Sequence, residues 1–96
     1  MTYYNKLNDM PYFIAVYDVN QKRVGKMLKL FRRYLTWIQN SVFEGELTEA
    51  QYQRLRHEAN MLMEEGDGVV IYRMREERYH ERHVLGVDKG KPQRFL

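Results

Sequence analysis

The sequence of 96 residues contains no cysteine and no long run of apolar residues. Without cysteine the chain forms no disulfide, holds no zinc through thiolates and has no cysteine nucleophile. The longest uninterrupted apolar run has six residues, from Tyr12 to Tyr17, and a membrane span needs about 20. No basic region followed by an apolar stretch opens the chain, so we expect a cytoplasmic protein that is neither secreted nor membrane-bound.

Charges of both signs are present but unevenly placed. The 16 lysines and arginines exceed the 13 acidic residues and give a net charge of +3. This excess is too small to indicate nucleic-acid binding by itself. Six basic residues and no acidic one, however, fall between residues 20 and 35: Lys22, Arg23, Lys26, Lys29, Arg32 and Arg33. Such a cluster is a candidate surface for phosphates, and the alternative is a solvated helix face.

The pattern of apolar residues predicts strands and helices in alternation. The run from Tyr12 to Tyr17 is typical of a central strand that is buried on both faces. A helical period follows over 21–35, apolar on one side and basic on the other. Two strands joined by a turn at 39–41, a capped helix starting at Thr48 and a strand over 69–74 complete the order. This order predicts an α+β fold, a ferredoxin-like βαββαβ sandwich with both helices on one sheet face.

We expect three segments along the chain. Residues 1–9 form a leader, residues 10–82 form the ferredoxin-like domain, and residues 83–96 form an extra C-terminal strand over 83–87 and a tail. The strand over 69–74 is largely apolar on both faces, yet the two helices cover one face of the sheet. A homodimer that buries the other face is the simplest arrangement that satisfies this pattern.

Two stretches resemble the signatures of one protein family. The segment YFIAVYDV (residues 12–19) is similar to the opening strand of the small CRISPR-associated Cas2 family, and SVFEGEL (residues 41–47) is similar to its second signature. The similarity covers residues 10–96. It implies a ferredoxin-like homodimer in which the C-terminal segment, residues 83–96, packs on the partner subunit and extends its sheet. It also implies a complex with the Cas1 integrase that inserts foreign DNA as new spacers and, in several members, metal-dependent cleavage of single-stranded RNA or duplex DNA.

Asp18 is the candidate metal ligand. It directly follows an apolar strand, where a buried carboxylate is costly unless its charge is compensated. If a two-fold axis passes near the strand end, two Asp18 side chains meet, and either Mg²⁺ or Mn²⁺ between them or a shared proton relieves their repulsion. Such a cation activates water and neutralises charge on a phosphodiester. The alternative is that Asp18 caps the turn into the next helix through amides near Asn20.

The resemblance also implies catalytic roles for Arg23 and Phe43. Arg23 stands at a position that resembles one of the family's functional arginines. Gly25 and Trp37 stand where some members carry further arginines, so fewer cations face the scissile phosphate here. Phe43 either stacks near the site, as the family pattern implies, or packs in the core.

We expect nucleic acid to contact basic residues from two parts of the chain. They are Lys22, Arg23, Lys26, Lys29 and Arg33 in the first helix, and Arg75, Arg78 and Arg82 after the last strand of the domain. The second group is interleaved with glutamates, so ion pairing is its alternative role. Two functions stay open: a metal-dependent endonuclease, and an adaptor that bridges integrase subunits and holds DNA without cleaving it. A sheet-based single-stranded RNA-binding module is disfavoured, because its aromatic signature is absent.

Overall fold

The structure is a computed structural model of the single chain, and it describes residues 10–74 and 83–90. The elements follow the order β1 (Tyr12–Asp18), α1 (Gln21–Arg32), β2 (Thr36–Gln39), β3 (Val42–Glu46), α2 (Glu49–Leu62) and β4 (Gly68–Met74). This order confirms the predicted βαββαβ arrangement. The leader and the basic residues predicted to bind nucleic acid after β4 (Arg75, Arg78 and Arg82) lie outside the described residues. Within the described ranges, neither helix has the length and apolar character of a membrane span.

The four strands form one antiparallel sheet in the order β2-β3-β1-β4. Strand β1 is central, because it pairs with β3 on one side and with β4 on the other. Asp18 ends β1 and lies opposite Gly68, the first residue of β4. The sheet register therefore places the candidate metal ligand beside the turn that joins α2 to β4.

Both helices pack on one face of the sheet and enclose the core. Alternation along β1 directs Phe13, Ala15 and Tyr17 toward the helices, where all three are buried. The ring of Tyr17 lies 5.3 Å from that of Phe31 in α1 and 5.8 Å from that of Phe43 in β3, measured between centroids. A packed aromatic cluster thus supports the end of β1 that carries the candidate metal ligand.

Local side chains fix the start of each helix. Asn20 caps α1, since its Oδ1 accepts a hydrogen bond from the Lys22 backbone N–H at 2.9 Å. Thr48 and Gln51 form the predicted capping box of α2. The Gln51 N–H donates to Thr48 Oγ1 at 3.1 Å, and the Thr48 N–H donates to Gln51 Oε1 at 2.8 Å. These caps satisfy backbone donors that have no partner within the helix.

The other face of the sheet is apolar and carries no helix. Val16 of β1 lies opposite Val70 of β4, and Ile14 lies opposite Tyr72. Val70 is 52% exposed and Tyr72 is 59% exposed in the single chain. Asp18 belongs to the same face as Ile14 and Val16, because alternate residues of a strand point the same way. We call this surface, from Ile14 and Tyr72 to Asp18, the open face.

The C-terminal segment shows no strand within residues 83–90. The sequence predicts a short strand over 83–87, whereas the backbone there is irregular and reaches a turn at 89–90. The Lys89 N–H donates to the carbonyl of Ile38, and Lys89 Nζ lies 5.0 Å from the Trp37 ring centroid. A strand needs a neighbouring strand for its hydrogen bonds, and the expected neighbour belongs to a second subunit. Packing on a partner therefore stays a prediction.

Candidate metal site and its surroundings

Asp18 is exposed, and its carboxylate has no hydrogen bond or ion pair within the described part of the chain. It borders a depression of about 240 Å³ that Asp67, Gly68 and Val70 also line. Small-molecule pockets usually measure roughly 300–1,000 Å³. The size and the exposed carboxylate therefore suit a cation with one phosphate better than an organic ligand.

Asp18 does not serve as the helix cap considered as its alternative role. Asn20 occupies the N-cap position and uses its own side chain for the bond to Lys22. Within residues 10–74 and 83–90, the Asp18 carboxylate makes no hydrogen bond or ion pair that would stabilise the fold. The side chain therefore remains available to bind a ligand.

The turn between α2 and β4 contributes a second carboxylate, Asp67, which no sequence motif identified. Its side chain is 2% exposed. Asp67 Oδ1 accepts a hydrogen bond from the Asn20 N–H at 2.8 Å, and Oδ2 accepts one from the Glu64 N–H at 3.0 Å. The sequence showed only an acidic residue between two glycines just before an apolar strand. The same pattern is typical of the end of a helix, so it did not indicate a functional carboxylate.

Arg23 is bound to Asp67 by two charged hydrogen bonds. Nε donates to Oδ2 at 2.6 Å, and Nη2 donates to Oδ1 at 3.1 Å. A third nitrogen, Nη1, lies 3.3 Å from Glu64 Oε1, and the Arg23 side chain is 15% exposed. The guanidinium thus faces the α2–β4 turn with its charge balanced. Its role as a phosphate ligand stays a prediction, and phosphate would have to compete with these carboxylates.

These contacts keep Asp67 ionised. The Arg23 side-chain hydrogen bond, followed by the Glu64 N–H, holds the pKa of the Asp67 carboxyl far below its ordinary value of 3.8. Burial of the carboxyl raises this pKa, but the hydrogen bonds lower it by more. The bond to Asp67 also raises the pKa of Arg23. Because each Asp67 oxygen already accepts two hydrogen bonds, Asp67 is a poor second ligand for a metal beside Asp18.

The described part of a single chain does not complete a metal site. No group of three or more histidine or acidic side chains could hold an ion within residues 10–74 and 83–90. Asp18 offers the hard oxygen donor that Mg²⁺ prefers, but that ion takes six oxygen ligands, some of them water. The donor chemistry fits Mg²⁺ or Mn²⁺ when a second copy contributes its own Asp18.

Phe43 lies in the core and has no exposed surface. Its ring stacks on Tyr17 and is tilted against Phe31, with centroids 5.8 and 5.4 Å apart. This placement agrees with the core-packing alternative, and the catalytic role of Phe43 stays a prediction. The ring contact with Tyr17, the residue before Asp18, links Phe43 to the candidate site.

Three of the predicted nucleic-acid-binding residues line one groove between α1 and α2: Lys26, Lys29 and Arg33. Arg33 is also paired with Glu58 at 2.9 Å. Lys22 is exposed in the first turn of α1. The groove lies on the helical side, and Asp18 is not among its lining residues. The structure therefore brings three cations together, but at a surface separate from the candidate metal site.

Comparisons with known proteins agree on one family. The family model described as CRISPR associated protein Cas2 matches residues 10–82. A CRISPR-associated endoribonuclease Cas2 from Dictyoglomus turgidum is 50% identical over 86 residues, which are 88% of this chain and 99% of the relative. A protein of the same name from Thermotoga maritima is 48% identical over 81 residues, covering 83% and 93% of the two chains. A crystal structure of cas2 gives a TM-score of 0.79 at 41% identity, covering 91% of this chain and 99% of that one.

Proposed function

The chain belongs to the CRISPR-associated Cas2 family, and we propose that it forms a homodimer that hydrolyses phosphodiester bonds with Mg²⁺ or Mn²⁺ held by two Asp18 carboxylates. Single-stranded RNA is the favoured substrate, because the relatives are named endoribonucleases, and duplex DNA is the second. The observation that carries the proposal is the exposed carboxylate of Asp18, without a partner in the described chain, at the end of an apolar sheet face.

A second copy of the chain is the proposed cover of the open face. Removing Val16, Val70 and Tyr72 from water stabilises the dimer by about 25 cal/mol for each Å² of apolar surface buried. A two-fold interface brings the same patch of both chains together. The proposal places the two-fold axis at the Asp18 end of this patch, so that the two Asp18 carboxylates meet there. Two carboxylates held close together repel each other, and the proposed cation between them relieves this repulsion.

The chain's own groups prepare this site. Asp18 holds and orients the ion, and the apolar side chains of the open face exclude bulk water, which strengthens the electrostatic interactions inside. Bound there, the cation supplies Lewis acidity to a phosphate oxygen and to the attacking water. Lys22, exposed in the helical turn that begins three residues after Asp18, provides a cation for a neighbouring backbone phosphate.

A cleavage assay on the purified dimer tests the proposal. Wild type and Asp18→Asn are incubated with labelled single-stranded RNA or duplex DNA, with Mg²⁺ or with a chelator. We expect metal-dependent products from wild type and at least a roughly 100-fold slower reaction from the variant, as for a lost electrostatic contact in a transition state. Glu46→Gln is the matched control, since Glu46 is exposed in β3 opposite Tyr12, at the other end of the sheet. Equal cleavage by Asp18→Asn and wild type would reject Asp18 as the metal ligand.

The second candidate is a structural adaptor that joins the Cas1 integrase in the cytoplasm and holds duplex DNA without cleaving it. The carboxylates around Arg23 favour the adaptor role, because they neutralise a cation that would otherwise face the scissile phosphate. Gly25 and Trp37 supply no further cation there. In that case a folded wild-type dimer binds DNA in a salt-dependent manner and gives no products with either substrate. The Lys26→Glu and Lys29→Glu variants then weaken DNA binding, whereas Asp18→Asn leaves it unchanged.

A further inference from the structure

Asp67 connects the two backbone segments that hold Asp18. On one side, the residue after Asp67 is Gly68, which pairs with Asp18 across the sheet. On the other side, the Asn20 N–H, two residues after Asp18, donates to Asp67 Oδ1 at 2.8 Å. The β1–α1 turn and the α2–β4 turn are therefore fastened together at one buried carboxylate.

Arg23 and Glu64 complete this arrangement. Arg23 occupies the remaining capacity of both Asp67 oxygens, at 2.6 and 3.1 Å. The Glu64 N–H donates to Asp67 Oδ2 at 3.0 Å, and the Glu64 side chain lies 3.3 Å from Arg23. We refer to Asp67 and Arg23, with these backbone contacts, as the Asp67 clamp.

We propose that Asp67 and Arg23 are positioning residues that fix residues 18–20, so that the Asp18 carboxylates of two chains reach one cation. Arg23 acts through Asp67 and does not bind the scissile phosphate. This inference rests on the proposed function of Asp18. The side chain of Asp18 has no described partner of its own, so the backbone sets its position. A shared ion tolerates errors of only about 0.5 Å in ligand placement.

The other arginine–carboxylate pairs among the described residues differ from the clamp. Arg33–Glu58 has side chains 64% and 38% exposed, and Arg73–Glu49 has side chains 45% and 56% exposed. In the clamp the carboxylate is 2% exposed and also binds two backbone N–H groups. Exposed pairs contribute little to structure, whereas a buried carboxylate bonded to backbone donors fixes the chain.

Binding measurements on Asp67→Asn, Arg23→Ala and the double variant test the inference. Mn²⁺ binding to the dimer is titrated by electron paramagnetic resonance, and RNA binding is measured separately in chelator. We expect each single variant to weaken Mn²⁺ binding roughly 10–100-fold, as for lost supports of metal ligands. The double variant should be no weaker than the single ones, because both residues act as one unit. RNA affinity should stay within about twofold of wild type.

The opposite pattern would overturn the inference. If Arg23 is a phosphate ligand, Arg23→Ala weakens RNA binding, whereas Asp67→Asn frees the guanidinium and leaves RNA binding equal or tighter. Arg23→Lys is the control for misfolding, since it keeps a cation for Asp67. Its Mn²⁺ affinity should lie between those of Arg23→Ala and wild type. Arg73→Ala is the matched control at the exposed pair. If Asp18→Asn does not alter Mn²⁺ binding, the proposed function fails; if Asp18→Asn abolishes it but the clamp variants do not reduce it, only this inference fails.

Discussion

The two faces of the sheet differ in how completely one chain covers them. On the helical face, Phe13, Phe31 and Phe43 have no exposed surface. On the open face, Val70 and Tyr72 are more than half exposed although they are apolar. The first face is a core that one chain completes, and the second is an apolar surface that the described part of one chain leaves uncovered. Substitutions on the helical face should therefore change the free energy of unfolding. Substitutions on the open face should change dimer assembly and metal binding.

The largest expected effect lies on the helical face. Phe43→Ala removes a fully buried ring that contacts Tyr17 and Phe31. Such a change leaves a cavity, and we expect the free energy of unfolding to fall by about 3–5 kcal/mol. Denaturant unfolding measures this loss. A decrease below about 1 kcal/mol would contradict the close packing of this ring.

Substitutions on the open face should weaken dimer assembly without changing the fold. Val70→Asp places a charge where the proposed two-fold interface repeats it in both chains. We expect the dimer dissociation constant to rise on the order of 100-fold, since each chain loses a valine that the proposed dimer buries. Sedimentation measures this constant, and circular dichroism should show an unchanged fold. Met61→Asp is the control, because Met61 is exposed on the helical side. A dimer unaffected by Val70→Asp would contradict the proposed interface.

The α2–β4 turn, which borders both faces, makes the stability of the fold depend on pH. The folded chain lowers the pKa of Asp67 below its ordinary value of 3.8. The stability that Asp67 contributes is therefore present above about pH 4 and is lost as the pH falls toward the folded pKa. We expect the difference in urea midpoint between wild type and Asp67→Asn to narrow steadily below about pH 4. A constant difference would show that the Asp67 charge does not matter.

The smallest expected effect concerns α1. A Cβ added at Gly25 meets no atom within 4 Å, so alanine fits this helical position. Alanine favours a helix over glycine by about 0.5–1 kcal/mol, and we expect Gly25→Ala to raise the free energy of unfolding by that amount. Dimer affinity should not change, because the substitution lies on neither sheet face. Thermal unfolding measures the gain, and a loss of stability would show that the position is more crowded than described.

Local patterns were sufficient for much of the fold. The apolar run before Asp18 predicted the central strand, and the Thr48–Gln51 pair predicted where α2 begins, because both signals lie within a few residues. The site was only partly predictable. Asp18 follows a strand and is visible locally, whereas Arg23 and Asp67 are 44 residues apart and meet only through the sheet register.

Two other predictions depended on information beyond a single strand. Residues 42–46 read VFEGE, which does not alternate strictly, so the burial of Phe43 depended on which side the helices cover. The strand predicted over 83–87 needs a hydrogen-bonding neighbour, and the family resemblance implies that this neighbour belongs to a second subunit. Burial and pairing of this kind arise from tertiary contacts, which propensity alone does not determine.

The stoichiometry of Mn²⁺ binding tests the central claim most directly. If two Asp18 side chains share an ion across the open face, wild type binds one tight Mn²⁺ for every two chains. Asp18→Asn should abolish this binding, and Glu46→Gln should leave it intact. One tight ion per single chain, or an undiminished site in Asp18→Asn, would contradict a cation shared between two copies of Asp18.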